Sequence, residues 1–236
     1  MSTVRVPRRP LLHVLTVALL ASGLWLAPEV RAGSVGYHHL GAVSDGRWSG
    51  VKGRLQVTDP EVRSGTYDFV AARFMVKQSL DDGGTAWLEA GWSENGWRDD
   101  GAQVIYTYDS VNGEWRFHEA YRIRPGDRVW LYLKSTPDGE WGAWLWWRGG
   151  WRQLVEVRLP GGREAQVEEF VEVYVDPDRG GEFAVPPVSV DNVSLRSPVG
   201  LLAPWRDEVA TATGDSTGPY CLAWARRYDT WTAGDC

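Results

Sequence analysis

Trp87-Leu88-Glu89-Ala90-Gly91-Trp92-Ser93-Glu94 sets a carboxylate inside an apolar, aromatic run. Side chains alternate along a strand, so Trp87, Glu89 and Gly91 point one way and Leu88 and Ala90 the other. A carboxylate among apolar groups needs a partner, and an exposed Trp needs a use. Gln166 to Val175 repeats the pattern. Val167, Val171, Val173 and Val175 share one face, with Glu169 as the odd member. Gln166, Glu168, Phe170, Glu172 and Tyr174 share the other. Two carboxylates on neighbouring strands split their titrations, leaving one as acid and one as base. Glu89 with Glu168, or with Glu172, is therefore a candidate catalytic pair. Its separation would decide between direct attack and water activation on a glycoside.

The aromatic residues follow the same parity. Val129, Leu131 and Leu133 make a core face, with Trp130, Tyr132 and Lys134 opposite. Trp144 and Trp146 share one face of the next run; Trp141 and Trp147 share the other. We expect Trp87, Trp130, Tyr132, Trp144, Trp146, Phe170 and Tyr174 to line one groove together with the carboxylates, stacking on sugar rings or on an extended peptide. The competing reading is core packing, which commonly consumes Trp in a β-sandwich. No other catalytic set competes. His38-His39 reads as a polar segment near the start of the exported chain. Ser93 lacks the Gly-x-Ser-x-Gly context, and no His-Glu-x-x-His or phosphate loop occurs. Asp59-Pro60-Glu61 and Asp176-Pro177-Asp178 read as loop starts, so neither metal nor cofactor is expected.

The elements that must position these residues are strands. Short runs rich in Val, Tyr, Trp and Leu alternate with Gly, Asp, Asn and Pro clusters, and helix signals are almost absent. Expected strands are Gly53–Thr58, Phe69–Val76, Ala86–Ser93, Gln103–Asp109, Glu114–Tyr121, Arg128–Ser135, Trp141–Trp147, Trp151–Arg158, Gln166–Val175 and Val188–Leu195. Asn112-Gly113 and Asp138-Gly139 are candidate two-residue hairpin turns. This spacing predicts an all-β, jelly-roll (concanavalin-like) sandwich of two antiparallel sheets.

Composition bounds the rest. Arg5, Arg8 and Arg9 precede an apolar run over Leu11 to Ala27, and Val30-Arg31-Ala32 ends in a small residue. That reads as an export signal over 1–32, cleaved after Ala32, with a retained membrane anchor as the alternative. Residues 33–52 read as an extension, 53–197 as the sandwich, 198–219 as a linker and 220–236 as a short tail. The signal carries four Arg and one Glu, so its removal shifts the net charge from −6 to −9. Such a surface repels phosphate backbones, which argues against nucleic acid. Cys221 and Cys236, an even pair in an exported chain, read as a disulfide worth about 3 kcal/mol. Secretion to the extracellular space follows as the expected location.

Three stretches resemble the glutamic peptidases (eqolisins): Trp87-Leu88-Glu89-Ala90-Gly91, Ile123-Arg124-Pro125-Gly126-Asp127-Arg128-Val129, and Gln166-Val167-Glu168-Glu169-Phe170. The resemblance spans roughly Phe69 to Leu195. It implies a jelly-roll-like sandwich with a Gln and Glu dyad on one sheet. Glu89 stands where that family carries its catalytic Gln, and Glu168 stands nearest its catalytic Glu, with Glu172 one pair further along. A shorter stretch, Val190 to Leu195, resembles the closing strand of sugar-binding β-sandwich modules. The expected role is binding of an extended polymer, a glycan first. The alternatives are an acid-acting hydrolase of the glutamic-peptidase type and a structural envelope or matrix protein.

Overall fold

The computed structural model describes residues 35–98, 101–214 and 218–236. The export signal read over residues 1–32 lies outside them. Fifteen strands are formed by the described residues: β1 Gly36–Ser44, β2 Gly50–Gln56, β3 Phe69–Ser79, β4 Thr85–Asn95, β5 Val104–Asp109, β6 Glu114–Phe117, β7 Arg128–Ser135, β8 Glu140–Trp147, β9 Gly150–Arg158, β10 Gln166–Val175, β11 Val188–Arg196, β12 Leu202–Pro204, β13 Thr211–Gly214, β14 Tyr220–Arg226 and β15 Thr230–Asp235. A seven-stranded sheet runs β13-β1-β10-β3-β4-β5-β6. An eight-stranded sheet contains β14-β15-β11-β2-β7-β8-β9, with β12 beside β11. Every strand pairing among the described residues is antiparallel.

Alternation explains why these runs pair into two sheets. Along β7, Val129, Leu131 and Leu133 are buried while Trp130, Tyr132 and Lys134 are half-buried on the other side. Along β4, Leu88, Ala90 and Trp92 enter the core. The inner faces of both sheets meet there, with Phe74, Trp92, Trp141 and Trp231 among the enclosed side chains.

Turn chemistry sets the registers. The two-residue hairpin falls at Arg148-Gly149, between paired Trp147 and Gly150. Both turn residues have positive φ, 49° and 83°, as a type I′ turn demands. The two turns expected to be this tight are longer. Asp109 pairs with Glu114, which leaves a four-residue loop around Asn112-Gly113. Thr136 and Glu140 close a three-residue loop over Pro137-Asp138-Gly139.

The sandwich also takes in segments that composition set apart. β1 comes from the expected extension and pairs with β10 along eight residues. β12 and β13 come from the expected linker, and β14–β15 from the tail. Small and polar residues hid β1, β12 and β13, because backbone pairing needs no apolar periodicity. The Cys221–Cys236 disulfide ties the start of β14 to the end of the chain.

Candidate functional site

The outer face of the seven-stranded sheet carries the charged residues. Glu168 on β10 and Glu89 on β4 both stand opposite Met75 of β3. One pair along, a continuous row crosses five strands: Gly41, Phe170, Arg73, Gly91 and Tyr106. One pair further, His39 stands opposite Glu172. Alternation puts all of these side chains on the face away from the core.

Glycine makes room for the row. A Cβ at Gly91 would lie 2.1 Å from the Ala72 carbonyl oxygen and 2.9 Å from Arg73 Cβ. At Gly41 it would lie 1.9 Å from the Glu169 carbonyl oxygen and 2.9 Å from the Phe170 ring. The two glycines let the strands close while Arg73, Phe170 and Tyr106 fill the space above them.

Arg73 is the centre of the cluster and is only 3% exposed. Its Nε donates to Glu172 Oε1 at 3.0 Å, and its Nη2 donates to Glu172 and, at 3.4 Å, to Glu168 Oε2. Nε also lies 3.5 Å from Glu89 Oε2. The Phe170 ring lies 5.2 Å from the guanidinium carbon, a cation–π contact. Nη1 is buried without a hydrogen-bond partner. Lys77 Nζ donates to the other oxygen of Glu168 at 3.2 Å, and His39 Nε2 approaches Glu172 at 3.1 Å.

These contacts put Glu172 and Glu89 in opposite states. Burial alone would raise Glu172, but Arg73 and His39 bring it down to about 2. Burial raises Glu89 to about 7, only partly countered by Arg73, with Glu172 pushing it further up. The buried Tyr106 hydroxyl lies near Glu89 and favours its charged form, without meeting full hydrogen-bond geometry. Burial opposes the charge on Arg73, and the three carboxylates more than offset that and keep it protonated. Buried beside Glu172, Glu89 holds its proton up to about pH 7.

Two aromatic groups flank the cluster. Trp87 lies 5.7 Å from Tyr108, which lies 4.9 Å from Trp115; Tyr106 and Phe117 lie 5.1 and 6.2 Å from the same Trp115. Tyr174, Phe69 and Tyr37 form the second group, with Tyr37 and Phe69 at 4.6 and 5.8 Å from Tyr174. The first group sits on β4, β5 and β6 and the second on β1, β10 and β3, at diagonally opposite corners of the face. Trp115 and Tyr37 are exposed.

Of the expected site residues, Glu89, Glu168, Glu172, Trp87, Phe170 and Tyr174 come together here. Trp130, Tyr132, Trp144 and Trp146 do not. They project from β7 and β8 on the outer face of the other sheet, with the core between. The expectation of one shared groove is corrected to two separate faces. Parity correctly separated core from surface within each strand, but parity cannot say which sheet a strand joins. His39, expected in a polar N-terminal segment, lies in β1 against Glu172. Arg73, Lys77, Tyr106 and Trp115 were missed. The signal for Arg73 was present, as a lone Arg in Phe69-Val70-Ala71-Ala72-Arg73-Phe74-Met75-Val76 is as anomalous as Glu89 in its own strand. Among the described residues no group of His, Cys, Asp and Glu could hold a metal ion.

The fold has solved counterparts. A scytalido-glutamic peptidase solved with a transition-state analogue inhibitor superposes with a TM-score of 0.61 at 14% identity, over 87% of this chain and 100% of that one. The same peptidase with a peptide-based transition-state analogue gives 0.59 at 13% identity, with the same coverage. SCP-B, an eqolisin in complex with the tripeptide Ala-Ile-His, gives 0.58 at 14% identity, again over 87% and 100%. No family model and no curated protein matches the sequence. The chain shares the β-sandwich fold of these peptidases.

Proposed function

We propose that the outer face of the seven-stranded sheet binds an extended polypeptide, and that its carboxylates orient the ligand rather than cut it. Arg73 carries this reading. A two-carboxylate hydrolase needs one carboxylate to take a proton from water. Here each oxygen of Glu168 already accepts from a cation, Arg73 at 3.4 Å and Lys77 at 3.2 Å. Glu172 is held by the same guanidinium. A water proton would have to compete with both.

A polypeptide suits the face and its solved counterparts. Those peptidases hold a peptide-based analogue and a tripeptide. Carboxylates can accept from ligand N–H groups, and the exposed rings of Trp115 and Tyr37 can cover apolar side chains. The disulfide and the signal-like leader support export to an oxidising, extracellular setting. The test is titration calorimetry with a reduced, carboxymethylated protein as the unfolded ligand. Trp115→Ala and Tyr37→Ala should each weaken binding by about 1–3 kcal/mol while leaving the melting temperature unchanged. Unchanged affinity in both would remove the binding face.

The state of Glu89 favours a second reading, an acid-acting hydrolase. Below about pH 7 its carboxyl carries a proton. It can then donate a hydrogen bond, as the amide of a Gln would. In that case Glu168 takes the water proton and Glu89 polarises the scissile carbonyl. Incubation of unfolded protein across about pH 2–7 with wild type, Glu89→Gln and Glu168→Gln decides between the two. Cleavage by wild type that Glu168→Gln abolishes overturns the binding-only reading. Binding without cleavage in all three retains it.

A further inference from the structure

The outer face of the eight-stranded sheet has its own repeated chemistry. Lys52 on β2 stands opposite Tyr132 on β7, which stands opposite Trp144 on β8. Lys134 is two residues further along β7, so the two lysines are diagonal neighbours on adjacent strands. Each ammonium sits over two rings. Lys52 Nζ lies 5.1 Å from the Trp130 ring and 5.7 Å from Trp151. Lys134 Nζ lies 5.1 Å from Tyr132 and 4.6 Å from Trp144. Trp146 stands exposed beside Trp151, their ring centroids 5.5 Å apart.

Charge on this face is uneven. Asp191 takes both Arg54 at 2.7 Å and Arg128 at 2.6 Å, so one carboxylate is shared by two guanidiniums and the trio keeps a net positive charge. Arg54 also lies 5.5 Å from the Trp130 ring. Lys52 and Lys134 have ring contacts and no carboxylate partner among the described residues. The chain as a whole carries −6, so two unneutralised ammoniums among aromatic rings are a local departure from its charge.

We propose that this face is a second binding site, and that it takes an acidic polysaccharide. Pyranose rings present C–H groups that pack on the negative faces of aromatic rings. Carboxylates on the sugars would meet the ammoniums, which keep their hydrogen-bond donors while resting on the rings. The unit of one Lys over two aromatic rings occurs twice, which suits a ligand whose own chemistry repeats. Nucleic acid fits less well, because so few unpaired cations on an acidic chain release few counterions. The site is independent of the polypeptide face, with the whole core between them.

Polygalacturonate is the probe, with its fully methyl-esterified form as a neutral control on the same backbone. Affinity gel electrophoresis should show binding of the acid form that weakens from low to high salt, and at least tenfold weaker binding of the ester. Lys52→Gln combined with Lys134→Gln should lower affinity at least tenfold, and Trp144→Ala likewise. Circular dichroism melts of both variants confirm that the sandwich is intact. Trp115→Ala, on the opposite face, should leave polygalacturonate binding unchanged, so this proposal and the polypeptide reading fail separately. Equal binding of acid and ester, or insensitivity to both lysines, overturns the proposal. So would tighter binding of oligothymidylate or polyglutamate than of polygalacturonate, or self-association that Trp144→Ala abolishes.

Discussion

Arg73 and Glu89 divide one task between them. The arginine supplies a fixed positive charge to a face with three carboxyls, and the glutamate, raised by burial, holds a proton up to about pH 7. Removing each partner should therefore have opposite consequences. Arg73→Met leaves three buried or half-buried carboxyls without their shared cation. Breaking a buried ion pair from one side costs about 3–5 kcal/mol, so urea unfolding at pH 7 should show a loss of that order. The loss should shrink at pH 4, where protonation removes part of the repulsion. Glu89→Gln should do the reverse. The Glu89 pKa is raised from 4.5 to about 7 on folding, so the folded state prefers its proton, and ionising it costs stability as pH rises. At 1.36 kcal/mol per unit, Glu89→Gln should gain about 3 kcal/mol relative to wild type between pH 4.5 and pH 8, as an upper value. A flat difference between the two proteins across that range would mean that folding does not raise the Glu89 pKa. Sequence showed Glu89 as an anomaly but not its partner. A charge in an apolar strand announces that a partner exists, whereas the partner's identity depends on which strands become neighbours.

At the scale of strands, the sequence resolved alternation well and edges poorly. β3, β4, β7, β8, β10 and β11 were legible because one face of each meets the core, which enforces period two. β1, β12 and β13 were not, since their Gly, Ala, Thr and polar residues carry little periodic signal; β14 does alternate Tyr220, Leu222 and Trp224, but in a tail too short to read as part of the sandwich. Sheet membership was also illegible, and it alone decided whether Trp130 joined Trp87. Glu169 shows what an edge element contributes. It faces the core from β10, fully buried, and accepts from the Trp231 indole of β15 at 3.0 Å. Burial raises its pKa well above the carboxylate range, so it sits in the core as a neutral acid. The β14–β15 hairpin that carries Trp231 is closed by Cys221–Cys236. Cys221→Ser with Cys236→Ser should cost about 2–4 kcal/mol. Hydrogen exchange should then open β14 and β15 ahead of β2 and β7. Exchange that stays uniform across the eight-stranded sheet would mean the hairpin is no separate unit.

For the whole molecule, the buried acids set an unusual optimum of stability. Glu172, Asp68 and Asp191 are lowered on folding, burial opposing the shift and Arg73, Arg63 and Arg54 respectively among the groups that reverse it. Their contribution is present above the unfolded carboxyl values and is lost as pH falls through the folded ones. For Glu172 that window runs from 4.5 down to about 2. Glu89 and Glu94 are raised to about 7 by burial, and burial raises Glu169 well above the ordinary carboxylate value. The contribution of Glu89 and Glu94 is present below 4.5 and is lost as pH climbs through about 7, and Glu169 acts in the same direction. The two groups of acids squeeze the maximum from both sides. Stability should peak at mildly acidic pH, about 4–5, below the range of about 5–8 usual for globular proteins. Urea midpoints at closely spaced pH values from 2 to 9 would trace this dome. Its alkaline limb should flatten stepwise in Glu89→Gln and then in Glu89→Gln with Glu94→Gln, because each removes one acid that must ionise in place. A wild-type maximum at pH 7 or above would contradict the raised acids as a group. A maximum near pH 4–5 whose alkaline limb ignores both substitutions would leave Glu169 as its source, which Glu169→Gln would then flatten.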